Sequence, residues 1–549
     1  MSHLSDSIDV AEEKRRLAFA GDYLVCAELN FARMLCGSIM REMRFNHPEK
    51  IVLGAVLALV VIPFLISRWP FLFHYFLPHW NDDSQSYIEP MLQLQNSQWP
   101  LFDVRTPAYP LLMYAMFMTG AGFGGVVCVQ MLVSLLSACL LALTFLRAYG
   151  RRAGLLTALV MGVFVSQDVF VEFDASIKPE SLYTSTLLLC VSCLVFIAKD
   201  RSKHHVILFS VLAAIAIWLK PAAIFLCVTA FFIFIFLLRA GASKMKVCAM
   251  LTPLPALLLL LCVYNKGTIG HFAISPYGNV SLVGVTNWYW ETHPTFPAEV
   301  NTSILQHRQS IDPADRQIME SRWDRNALGN AFQKYFEYSH FHGPFRRHLK
   351  DYAIQGEVAK LAIQSHPEYF LKNAYVQAVQ FFLNFSTEID VYSFWAGHFR
   401  KMALKNYGPT VEHHDADPYG INDDMKKYPL TNYVLVQGGN AYLRPQFSQR
   451  IHDYWRTVLN VLFQNPLWIV GYLLAFLFSL YACLKDRFRE PLSFLAFSLL
   501  SMHFGSAILV SLVQISWVRY SFPTQFACLL IVPLAYVAYQ QQLSKKASV

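Results

Sequence analysis

Residues 221–239 read PAAIFLCVTAFFIFIFLLR, and no charge interrupts them before Arg239. At about 1.5 Å of rise per residue, a helix of this length nearly matches a hydrocarbon layer about 30 Å thick. A helix on a soluble core needs a polar side, and Thr229 alone cannot make one. The stretch therefore reads as a membrane span. The same texture recurs at 51–68, 125–146, 153–170, 181–198, 205–219, 246–264, 466–484, 491–514 and 522–540, which gives ten expected spans. A further apolar stretch, 107–119, is too short to cross and reads as an interfacial or re-entrant helix.

Composition agrees. The chain has 549 residues, of which 55% are hydrophobic and 15% charged. Soluble domains carry about 25% charged residues, so a string of soluble domains is excluded. Forty-three Phe exclude a disordered chain. The expectation is an all-α polytopic membrane protein.

Charge placement orients it. Basic residues cluster at Lys14–Arg16 and Arg33–Lys50, then at Arg147–Arg152, Lys199–Lys203, Arg239–Lys246, Lys485–Arg489 and Lys545–Lys546. With ten spans, both termini and every one of these clusters fall on the cytoplasmic side, as the positive-inside rule requires. The net charge of +8 is thus a topology signal, and no nucleic-acid partner is expected. Four regions follow: a basic, amphipathic cytoplasmic leader (1–49), a seven-span module with an outer loop at 69–124 (50–265), a mainly helical outer-face domain (266–465), and three closing spans with a cytoplasmic tail (466–549). No cleavable signal peptide is visible, because the first span begins late. None of the eleven Cys falls within 266–465, so no disulfide framework is expected there.

Ionisable residues are scarce, and five clusters gather on the expected outer face. They are Asn81-Asp82-Asp83-Ser84 with Tyr87; Arg105-Thr106-Pro107-Ala108-Tyr109-Pro110; Glu172-Phe173-Asp174 with Lys178-Pro179-Glu180; Leu219-Lys220-Pro221; and Arg519-Tyr520-Ser521-Phe522-Pro523. Carboxylates and cations together can deprotonate a hydroxyl and hold an anionic phosphate. A single such residue at a span end commonly just reaches for the interface. Five on one face point to a site.

The ordered set resembles the GT-C superfamily, the membrane glycosyltransferases that use polyprenyl-phosphate-linked sugars, such as aminoarabinose transferases and protein O-mannosyltransferases. Asp83 with Tyr87, then Arg105-x-Pro107-x-Tyr109-Pro110, looks like that family's first outer loop. Lys220-Pro221 is similar to its basic-residue–proline turn, and Arg519-Tyr520-x-x-Pro523 to its closing motif. His366-Pro367-Glu368-Tyr369 also recurs in such proteins. The resemblance covers most of 50–265 and touches 515–525. It departs at one point: the extra acid stands before Asp83, at Asp82, instead of after it.

The resemblance implies a GT-C-like bundle with juxtamembrane helices. It implies transfer of a sugar from a polyprenyl-phosphate donor to a glycan, lipid or protein acceptor on the outer face, with inversion. Asp83 would be the catalytic base, with Asp82 the alternative. Arg105, Lys220 and Arg519 would bind the donor phosphate. Asp82, Tyr87, Tyr109, Asp174, Glu180 and Tyr520 would be substrate-binding or orienting residues, with Asp174 or Glu180 binding sugar hydroxyls or orienting those cations. No cofactor is expected; a divalent cation on Asp82 and Asp83, or on the Glu412–Asp417 run, is the alternative. The setting implied is a bacterial inner membrane with 266–465 periplasmic. A glycan polymerase or ligase would instead use loop residues such as Arg346, Arg347 and His348. A lipid-linked glycan transporter would place its charges near the midplane, often in repeated halves.

Overall fold

The computed structural model describes residues 47–73, 84–102, 105–275, 277–321, 327–332, 334–335, 352–383, 467–513 and 518–547. Among these residues there are helices and no strand. Within a membrane each backbone N–H must be satisfied inside its own segment, which a helix achieves. The first module runs α1 (His47–Phe73), α2 (Ser84–Gln95), α3 (Ala108–Met118), α4 (Gly122–Tyr149), α5 (Arg151–Val165), α6 (Asp168–Ala175), α7 (Glu180–Asp200) and α8 (Lys203–Leu219). It continues with a 3₁₀ turn (Pro221–Ile224), α9 (Phe225–Arg239), α10 (Lys244–Leu251) and α11 (Pro253–Ile269). A second unit holds α12 (Tyr277–Val285), α13 (Ala298–Ser310), α14 (Pro313–Ser321), α15 (Tyr352–Ser365) and α16 (Pro367–Leu383). The chain closes with α17 (Leu467–Lys485), α18 (Pro491–Val513), α19 (Val518–Leu529) and α20 (Ile531–Ala547).

The expected count of ten spans is not reached outright. Among the described residues, seven helices are long and apolar enough to cross alone, and nine cross if two bent pairs each count once. The bent pairs are α5 with α6, at 68°, and α10 with α11, at 45°. The remaining expected span, 205–219, falls on α8, which has 17 residues. The 107–119 stretch forms the short helix α3. The leader up to residue 46 and residues 384–466 lie outside the described residues, and the expected four-region division is not tested.

Local chemistry sets the helix ends. Gly150 takes φ 89° and Gly270 φ 77°, a left-handed turn open to glycine, and they end α4 and α11. A Cβ on Gly162 would overlap the carbonyl of Leu59, so a glycine lets α5 lie directly against α1. The main core unites α1 and α4–α9 with α18 and α19. The apolar faces turned outward, such as Leu474 and Phe478 on α17, are what a lipid-facing helix presents.

The second unit has its own core of Trp290, Val300, Ile304, Met319, Val358 and Val376. Its last helix, α16, ends in Phe381 and Phe382, buried against Tyr472 of α17 and His503 of α18. His307 on α13 packs 4.7 Å from the Trp290 ring, and burial lowers its pKa from 6.5 to about 4. The unfolded chain therefore takes up this proton first. The stabilising contribution is complete above pH 6.5 and is lost as pH falls towards 4. We expect the thermal midpoint of the wild-type protein to fall between those pH values, and His307→Gln to flatten that fall. Parallel curves for the two proteins would refute the assignment.

Candidate active site

The site is built where helices end. Lys220 precedes Pro221, and a residue before proline is pushed out of the helical region. Its backbone is extended accordingly, at φ −150° and ψ 113°, and α8 stops at Leu219. The Lys220 side chain then runs to Glu180, at the start of α7, with Nζ 3.1 Å from Oε1. The ammonium also sits 4.4 Å above the ring of Tyr520 on α19 and 5.8 Å from that of Tyr183. Both members of the ion pair are largely buried. Three stretches distant in sequence thus meet at one cation.

A second cation–aromatic group lies on the preceding loop. Arg105 Nε donates to Ser86 Oγ at 2.7 Å, and its guanidinium lies 4.5 Å over the ring of Tyr87 on α2. Tyr87 meets Tyr109 of α3 edge-on at 5.4 Å. The Tyr109 hydroxyl donates to Gln130 Oε1 at 2.7 Å. Burial, with the nearby Tyr87 and Glu180 charges, raises the Tyr109 pKa well above its ordinary value, so it stays a donor. The backbone of Lys178 also hydrogen-bonds it.

Beneath these groups lies a buried polar hub. The α5–α6 break leaves the Val165 carbonyl without a helical partner. Arg68, at the end of α1, donates to that carbonyl and to Ser67 Oγ. The same guanidinium donates to Asp174 Oδ2 through Nε at 3.0 Å and Nη2 at 2.7 Å. Ser134 and Ser181 donate to the remaining carboxylate positions. Gln130 Nε2 donates to the backbone carbonyls of Asp174 and Ser176, at 2.8 and 3.0 Å. Beside them, Lys178 pairs with Glu172 at 2.7 Å. The hub fastens the turn 176–179, which carries Glu180 to its place.

Of the expected residues, Glu180, Lys220 and Tyr520 come together, and Arg105, Tyr87 and Tyr109 come together. Tyr109 links the two groups through its proximity to Glu180. Asp174, expected to bind sugar hydroxyls or to orient the phosphate-binding cations, is fully buried and paired with Arg68, not with Arg105, Lys220 or Arg519. Asp82, Asp83 and the side chain of Arg519 lie outside the described residues, as do Arg346, Arg347, His348 and the Glu412–Asp417 run. Among the described residues, no group of three or more His, Cys, Asp or Glu side chains is placed to hold a metal ion. Sequence reasoning overlooked Arg68 and Gln130. Both were detectable as strongly polar residues inside apolar spans, which are costly unless partnered.

Comparison with known proteins bears on the same region. Residues 105–266 match the family model described as dolichyl-phosphate-mannose-protein mannosyltransferase. This match lies within the module from which the GT-C resemblance was read, and bears that resemblance out. No curated protein matches the chain. One similar solved structure is the archaeal oligosaccharyltransferase AglB from Archaeoglobus fulgidus, in complex with an inhibitory peptide and a dolichol-phosphate. It is 13% identical at a TM-score of 0.36, covering 91% of this chain and 52% of that one. This chain therefore spans about half the length of that relative. Another is ArnT from Cupriavidus metallidurans bound to undecaprenyl phosphate, 14% identical at a TM-score of 0.31, covering 75% of this chain and 78% of that one.

Proposed function

We propose that this integral membrane protein is a GT-C-type glycosyltransferase that moves a sugar from a polyprenyl-phosphate carrier to a hydroxyl acceptor on the outer face of the membrane. The observation that carries the reading is Lys220, which gathers Glu180 and Tyr520 from separate segments around one buried ammonium. A buried cation with a carboxylate partner and an aromatic wall suits a lipid phosphate that enters from the bilayer. The family match over 105–266 supports the same chemistry.

The mechanism follows from charge. The acceptor oxygen forms a bond to the anomeric carbon as the carbon–oxygen bond to phosphate breaks, with inversion. Asp83 takes the hydroxyl proton, and the phosphate leaves with the bonding electron pair. Lys220, Arg105 and Arg519 stabilise the charge that develops on it. Glu180 holds Lys220 in position, and Tyr87, backed by Tyr109, holds Arg105. The proposed chemistry uses side chains alone, with a divalent cation at Asp82 and Asp83 as the variant. The orientation proposed has both termini cytoplasmic, in a bacterial inner membrane.

The test uses the full chain in lipid nanodiscs with a polyprenyl monophosphate. A charge-assisted hydrogen bond contributes about 1.5–3 kcal/mol, so Lys220→Met should weaken binding roughly tenfold to a hundredfold. Unchanged affinity would remove Lys220 from the site. Failure of the wild type to bind the lipid phosphate would remove the reading.

A further inference from the structure

A second cluster, in the unit that spans 277–383, joins charge, aromatic rings and unsatisfied polar atoms. The 3₁₀ turn Asn287–Tyr289 leads through Trp290 to Glu291. Glu291 Oε2 accepts from Arg308 Nη1 on α13 at 3.1 Å, and its Oε1 lies 3.1 Å from His366 Nε2. Both oxygens are thus engaged, yet a carboxylate has about four lone-pair positions and two remain. Glu291, Arg308 and His366 are each about one-third exposed.

Aromatic rings frame this group. His366, just before α16, stacks on Tyr369 at 5.3 Å. Tyr369 lies 4.5 Å from Trp288 and 5.8 Å from Tyr289. Trp288 and Tyr289 are buried, but neither the indole N–H nor the phenol hydroxyl has a hydrogen-bond partner among the described residues. Buried polar groups are nearly always satisfied, so two orphans side by side call for an outside partner. Glu368 Oε1 stands 3.6 Å from His366 Nδ1, too far for a direct hydrogen bond and close enough for one hydroxyl to bridge.

We propose that this cluster is a saccharide-binding site, and that it holds the acceptor glycan; the word acceptor rests on the transferase reading above. Sugars combine apolar C–H faces with hydroxyls that both donate and accept. The cluster offers the matching set: Tyr369 as an aromatic wall, Trp288 as donor, Tyr289 as donor or acceptor, and Glu291 as acceptor. Arg308 is already balanced by Glu291, and Glu368 stands beside them. No cationic excess remains for a phosphate or sulfate. A neutral polyhydroxylated ligand fits; an anionic one does not.

The full chain in nanodiscs, with no donor lipid, is incubated on an array of neutral oligosaccharides and, in parallel, of peptides. Retention on a class of glycans is expected. Glu291→Gln removes a charged acceptor and Tyr289→Phe the orphan hydroxyl, each with little change of shape, and each should weaken that retention about tenfold. Polyprenyl monophosphate binding and the thermal midpoint should not change. The proposal is overturned if no glycan is retained, if retention is confined to peptides, or if both variants bind glycans as the wild type does. Glycan binding that persists where lipid-phosphate binding fails would sink the transferase reading and leave this site standing.

Discussion

Asp83→Asn is expected to lower kcat for sugar transfer by about 10²–10⁴ while donor affinity stays near that of the wild type. The substitution keeps the shape of the side chain and removes its capacity to accept a proton. A general base acts only as the acceptor attacks, so the loss should appear in kcat and leave donor KM almost alone. Asp83 immediately precedes the fully buried Ser84, and the same first turns of α2 carry Ser86 and Tyr87 against Arg105. Transfer is followed with a radiolabelled sugar on a polyprenyl-phosphate carrier. Asp82→Asn, measured beside it, separates the two neighbours: whichever variant loses kcat identifies the base. Full turnover in both would show that neither aspartate takes the proton.

Arg68→Met should be the most damaging single change to the fold, at about 3–5 kcal/mol. The Arg68–Asp174 pair is wholly buried, and removing the cation strands a carboxylate that, among the described residues, only Ser134 and Ser181 then serve. It also frees the Val165 carbonyl at the α5–α6 break. Replacing both charges, as Arg68→Met with Asp174→Leu, should recover much of the loss, because the stranded charge costs more than the pair contributes. Thermal unfolding in nanodiscs reads both effects. A single variant as stable as the wild type would show that the hub does not fasten the bundle. The same variant tests the link to the site: a displaced 176–179 turn carries Glu180 away from Lys220, so donor binding should weaken with it.

Much of this molecule could be read directly, because the properties concerned are local. Apolar length marked the regions where α1, α4, α7, α9, α17 and α18 cross, since a lipid layer demands a minimum run without charge. Proline placed Lys220 in an extended link at the end of α8, a purely steric effect between neighbours. The ordered motifs at Arg105, Lys220 and Tyr520 pointed to one end of the bundle. The bends escaped although local signals stand at them: Ser166-Gln167-Asp168 interrupts one apolar run and Thr252-Pro253 the other, and each run was still read as a single straight span.

The pairing of charges also escaped. Asp174 could have served Arg105, Lys220 or Arg519 as far as order along the chain was concerned. Its true partner, Arg68, lies 106 residues away, and Glu180 finds Lys220 across 40. A low-dielectric interior makes each buried charge take the nearest partner, and packing alone decides which partner is nearest. Sequence by itself therefore determined most of the spans, the turn at Lys220-Pro221 and the chemical inventory at one end. Only the tertiary structure divided that inventory: Arg68 and Asp174 into a structural lock, and Lys220, Glu180 and Tyr520 into a candidate phosphate site.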